Sequence, residues 1–107
     1  MGGLMAKVIE KDGVLTLKLS TLEKIGALHG DISVASSQLI SKSEVPNPWT
    51  KQYLRGVRAP GTAIPYLILL GTMRFKSGKD FCAIYKRTPA VIYEFADAPF
   101  KRWIVTK

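Results

Sequence analysis

Ala6-Lys-Val-Ile-Glu-Lys11, Asp12-Gly13, Val14-Leu-Thr-Leu-Lys-Leu19 is the stretch that decides the fold. Apolar and polar residues alternate on both sides of an Asp-Gly pair. That pair suits a two-residue type I′ turn, in which both central residues take positive φ. The spacing predicts an antiparallel hairpin with one buried face. Directly after it, Ser20-Thr-Leu-Glu23 reads as a capping box: a hydroxyl and a carboxylate three residues apart, each satisfying the other's backbone amide. It predicts a short helix over residues 21–28, kept short by Gly26 and Gly30.

Working outward, the strand pattern continues. Asp31-Ile-Ser-Val-Ala35 and residues 38–45 read as one long strand or two, broken near Ser36-Ser37 and ended by Pro46-Asn-Pro-Trp49. Residues 50–65 read as the longest irregular stretch, with a helical turn near residues 50–54. Further strands are expected over residues 67–76, 80–86, 90–95 and 102–106. Turns at Ser77-Gly78, Thr88-Pro89 and Asp97-Ala98-Pro99 divide them. The sum is a mainly β chain of about seven antiparallel strands and one short helix, a roll or barrel rather than alternating parallel units. With 107 residues, no linker and no repeat, one domain over residues 5–107 is expected. Residues 1–4 read as a disordered extension, with Met5 as an alternative start.

Composition excludes several function classes. Hydrophobic residues at 47% against 22% charged describe a globular chain. One cysteine leaves no internal disulfide framework, and one histidine leaves no zinc set. The longest apolar run, Tyr66-Leu-Ile-Leu-Leu-Gly-Thr-Met73, is less than half of what a membrane-spanning helix needs. The N-terminus has no secretory h-region, and Ala6 stands where a myristoylation motif wants Ser or Thr. With an unpaired Cys82, a cytoplasmic location is expected.

Charge is uneven. Residues 1–50 hold five Lys and five acidic residues, and residues 51–107 hold eleven Lys or Arg and three acidic residues, so the whole net +8 lies in the second half. Either that half presents a basic face to phosphates, or Lys and Arg guard strand edges against aggregation.

Four blocks, Ser20–Asp31, Pro48-Trp49, Arg55-Gly-Val-Arg-Ala-Pro-Gly-Thr62 with Ile64-Pro65, and Gly71-Thr72 with Gly78-Lys-Asp-Phe81, resemble a family of small uncharacterised bacterial proteins with a pleckstrin-homology-like fold. Lys86-Arg-Thr-Pro-Ala-Val91 and Pro99-Phe-Lys-Arg102 continue the pattern. The resemblance implies two near-orthogonal antiparallel sheets of seven strands, with an open end closed by a C-terminal helix. This sequence stops at Lys107 with no evident closing helix. The open end is therefore expected to be covered by a partner, a neighbouring copy or a further tail. No catalytic residue is transferred by this resemblance.

The candidate site residues follow from chemistry. Arg55, Gly56, Arg58, Gly61 and Thr62 put two arginines three apart beside glycines that allow backbone approach, which suits a phosphate, a carboxylate or a partner. The same residues equally suit a shaped loop, in which Gly56 and Gly61 supply positive φ and the arginine forks cap carbonyls. Trp49, Lys79, Lys86 and Arg87 are candidate secondary contacts. His29 reads as a helix C-terminal cation with Asp31 orienting its ring, and Cys82 as a small buried side chain. Phe81 with Tyr85, and Tyr93 with Phe95, share strand faces near Lys86 and Arg87. Such faces suit either a core or a stacking surface for single-stranded nucleic acid.

The expected function is a non-enzymatic binding or scaffold module acting through loops or an open sheet edge, with protein partners or self-association. Nucleic acid or another anionic surface is the alternative. No cofactor is expected, and the short acidic Glu10–Gly13 turn argues against phosphoinositides.

Overall fold

The computed structural model describes residues 6–50 and 53–107, with the backbone alone for residues 58–60. The first hairpin forms as expected. Strands β1 (Lys7–Lys11) and β2 (Val14–Lys18) pair antiparallel, with Lys11 opposite Val14. Asp12 and Gly13 take φ of 53° and 78°, the left-handed pair that the turn demands. Helix α1 (Thr21–Ala27) begins at Ser20, whose hydroxyl accepts from Glu23 N while the Glu23 carboxylate accepts from Ser20 N. Such a cap is worth about 1 kcal/mol. Leu28 ends the helix in the left-handed conformation.

The chain then forms β3 (Ile32–Ala35), a 3₁₀ turn (Ser36–Gln38) and β4 (Leu39–Val45), so the doubtful stretch is two strands. The remaining strands are β5 (Val57–Ile64), β6 (Ile68–Phe75), β7 (Gly78–Tyr85), β8 (Ala90–Phe95) and β9 (Arg102–Thr106). They form two sheets, β1-β2-β3 and β4-β8-β9-β7-β6-β5.

Three expectations are corrected. There are nine strands among the described residues, not about seven. The irregular stretch contains β5, because Ala59 and Pro60 form a bulge of an edge strand between the pairs Arg58↔Met73 and Gly61↔Gly71. An edge tolerates a missing N–H that a central strand would not. Nor are all neighbours antiparallel. β8 does not pair with β7; β9 enters the gap between them and runs parallel to β7. The breaks expected near Ser77, Thr88-Pro89 and Asp97–Pro99 divide the strands, Lys86 belongs to a turn rather than to a strand, and the order of strands across the sheet has no local signal in the sequence.

β7 is buried on both faces, which explains its continuous apolar reading. Phe81, Ala83 and Tyr85 face the small sheet, where they meet Leu15, Leu17, Ile32, Val34 and Trp103. Cys82 and Ile84 face the other way, joining Val45, Ile92 and Ile104 under a cover of Trp49, Tyr53 and Leu54. Trp49, Tyr53 and Leu54 thus form a third layer. The expected helical turn is marked by the Thr50 carbonyl accepting from Tyr53 N and Leu54 N, while residues 51–52 lie outside the described residues. So does the expected extension at residues 1–4. Trp103 is 1% exposed, so the core around it is covered without a closing helix. Of the two readings of the Tyr93–Phe95 face, Phe95 is buried against Trp103, while Tyr93 is half-buried between Trp103 and Lys42.

Candidate functional site

The Arg55–Thr62 segment is built around structure-forming contacts. The Arg55 guanidinium forks onto Asp80 at 2.8 and 3.1 Å and lies 4.1 Å from the Phe75 ring. Arg102 grips the same carboxylate at 2.8 Å and also donates to the Tyr53 carbonyl. Asp80 is 1% exposed, so two guanidiniums compensate one desolvated carboxylate. That partnership holds Arg55 above the ordinary guanidinium range. The fork therefore holds a carboxylate, where loop carbonyls were the structural alternative.

Gly56 takes φ +81°, and a Cβ there would stand 2.1 Å from the Arg74 carbonyl. Gly61 takes φ +152° with the Leu70 carbonyl 2.2 Å from where its Cβ would be. Thr62 donates to the Gly26 carbonyl at 2.7 Å and fastens β5 to α1. Arg58 pairs with Met73 through its backbone; its side chain lies outside the described residues.

The remaining candidates fall at two places. Lys79 lies over the Phe100 ring at 4.7 Å, in a cluster where Phe100 also meets Phe81 and His29. His29 Nδ1 donates to the Gly30 carbonyl at 2.8 Å. Asp31 does not orient that ring; it accepts from Leu19 N and pairs with Lys18 and Lys24. Cys82 points to the opposite face of β7 from Phe81, so it forms no dyad with His29.

At the other end of β7 the structure brings Trp49, Lys86 and Arg87 together. The Trp49 indole donates to the Lys86 carbonyl at 2.7 Å, and the Arg87 guanidinium lies 4.8 Å from the centre of the Tyr66 ring. Tyr66 sits 5.8 Å from Trp49, ring to ring. Both Tyr66 and Lys86 have positive φ, at 63° and 54°, and Lys86 N donates to the Leu67 carbonyl. Two tight turns are thereby locked side by side over a cleft of 310 Å³ walled by Trp49, Leu54, Pro65 and Tyr66. Tyr66 was missed in the sequence because it stood between the irregular residues 50–65 and the strand expected over residues 67–76, and counted only as the first residue of an apolar run.

Two further clefts were not legible in the sequence. One of 540 Å³ lies between β1 and β4, with Ala6, Lys7 and Val8 along one side and Lys42, Ser43 and Glu44 along the other. Val91, Tyr93 and Val105 also line it. β1 and β4 are the outermost strands of their sheets. Lys42 lies over the Tyr93 ring, and Glu44 is paired with Lys107 at 2.8 Å. The other cleft, 340 Å³, opens between α1 and β5–β6, with Leu22, Thr62 and Ile68 in its walls. Beneath it the buried Glu23 carboxylate accepts from Ala6 N at 2.7 Å and from the Tyr85 hydroxyl. Burial and that carboxylate push the Tyr85 phenol upward. Leu22, Ile25 and Leu28 stand exposed along α1 and at its C-terminal end.

Among the described residues, no cluster of three His, Cys, Asp or Glu could hold a metal ion, and no helix is long and apolar enough to cross a membrane. No family model, curated protein or solved structure matches this chain.

Proposed function

We propose that this chain is a non-enzymatic binding module that accepts an extended segment of a partner protein between β1 and β4. The observation that supports this is two outermost strands bordering one cleft. Sheet edges carry backbone donors and acceptors that an added strand can satisfy. The cleft offers a guest the apolar side chains of Val91, Tyr93 and Val105 with the ammonium groups of Lys7 and Lys42 beside them, while its one acidic wall residue, Glu44, is paired with Lys107. The preferred guest alternates apolar and acidic residues. Kinship with pleckstrin-homology-like proteins is part of the same proposal and rests on the sequence blocks.

The test is titration of the isotope-labelled protein with a ten-residue peptide of alternating valine and glutamate, followed by amide shifts. Saturable shifts confined to residues 7–11 and 39–45, weakened about tenfold by Lys42→Glu, are expected. No shifts at millimolar peptide, or shifts elsewhere, overturn the reading. Shifts of the same amides on simple dilution would replace the partner by a second copy of the chain.

A further inference from the structure

The Trp49–Tyr66 cleft points to a second ligand, independent of the seam between the sheets. We propose that it takes one base of single-stranded nucleic acid, with the flanking phosphates met by Arg87 and Lys86. The aromatic wall is available: Tyr66 is 55% exposed, and Trp49 is half-buried. Arg87 stacks on Tyr66 and so adds positive charge at the ring itself. The stretch of sequence that walls the cleft carries charge of one sign. Between Glu44 and Asp80 the sequence has no acidic residue, and Asp80 is buried under two arginines. At 310 Å³ the cleft lies at the small end of the ligand range, suited to one ring system rather than a folded surface.

The combination selects the ligand class. A run of Asp and Glu offers charge but no flat π face, and a run of proline offers a flat face but no charge. A duplex keeps its bases stacked inside. A single strand presents both a base and its phosphates, and stacking on an aromatic side chain tolerates any base. The two turns are held by hydrogen bonds from Trp49 Nε1 to the Lys86 carbonyl and from Lys86 N to the Leu67 carbonyl, so the site is formed before a ligand arrives.

The two tryptophans make the test direct. Trp103 is 1% exposed and reports on the core, so a ligand-dependent change in tryptophan emission reports on Trp49. Octathymidylate should quench that emission saturably at low salt. With two cations engaged at about 0.7 per phosphate, the logarithm of affinity should fall against the logarithm of salt with a slope near −1.4. Tyr66→Ala should weaken binding on the order of tenfold, and Tyr66→Phe should restore it. An abasic oligomer of the same length supplies phosphates without bases and tests the unaltered protein. Weak binding of it supports the proposal. Binding equal to that of octathymidylate, or stronger quenching by anionic lipid vesicles, would mean a general anion surface and overturn it. Absence of quenching in low salt overturns it as well.

Discussion

Asp80 and Arg102 face each other as register partners across the parallel pair β7–β9, and the Arg102 guanidinium closes on the Asp80 carboxylate at 2.8 Å. The ion pair thus marks the alignment of the one parallel junction among the described strands. Removing one partner of a buried pair leaves the other charge desolvated. Asp80→Ala should cost about 3–5 kcal/mol in urea unfolding. Arg55→Ala should cost nearer 1 kcal/mol, because the Arg55 side chain is 41% exposed. Equal losses would contradict the unequal burial of Asp80 and Arg55.

Three glycines provide a graded comparison. Gly30 has open space around it, Gly13 has open space but φ +78°, and Gly56 has both φ +81° and a carbonyl in the way. Alanine at these positions should be nearly neutral, then cost about 1 kcal/mol, then about 2–4 kcal/mol. Thermal unfolding of the three variants measures the order directly.

Acid stability should depend on Asp31. The hydrogen bond from Leu19 N, with Lys24 and Lys18 nearby, holds its carboxyl below the ordinary 3.8. A depressed carboxyl stabilises the fold above the unfolded value, and that contribution disappears as pH falls through the lower folded value. Asp31→Asn should therefore be less stable than the wild type at pH 6, and the two should converge by about pH 2.

Alkaline stability should depend on Tyr85, with the opposite sign. A phenol raised by burial and by Glu23 leaves the fold intact below the unfolded value of about 10 and weakens it as pH climbs above that. Tyr85→Phe should lose stability at neutral pH through the missing bond to Glu23, yet fall less steeply between about pH 10 and 11.5. Parallel curves for the two proteins would be the contrary result.

Cys82 is fully buried, and burial pushes its thiol upward, so the native protein should resist aromatic disulfide reagents. Modification should proceed only through opening of the sheet, and the logarithm of its rate should rise linearly with denaturant. A fast reaction in native buffer would place the thiol at the surface.

The readable parts of the fold were local. Asp12-Gly13 and Ser20–Glu23 each specify their conformation within four residues, so hairpin and capped helix could be read from spacing alone. β5 was hidden because Pro60 and Gly61 are turn residues in most contexts and become strand residues only on an edge with a bulge. The position of β9 was hidden for another reason: turn chemistry says where a strand ends, but not beside which strand the next one settles. The site divides in the same way. Gly56 and Gly61 take the left-handed conformations that their residue type suggests. Asp80 as the target of Arg55 and Arg102 lies 25 and 22 residues away, beyond any local signal. Trp49, Lys86 and Arg87 were singled out by residue type, and only the two adjoining turns show why they belong with Tyr66.

The insertion of β9 between β7 and β8 has a consequence for biosynthesis. A ribosome delivers β4 to β8 with a vacant lane in the middle of the large sheet, and the lane fills only once Arg102–Thr106 has emerged from the exit tunnel. The nascent polypeptide therefore carries two unsealed halves until that segment appears. The same lane makes the protein a candidate for splitting: a fragment ending before residue 100, supplied in trans with a peptide spanning β9, should reassemble by complementation.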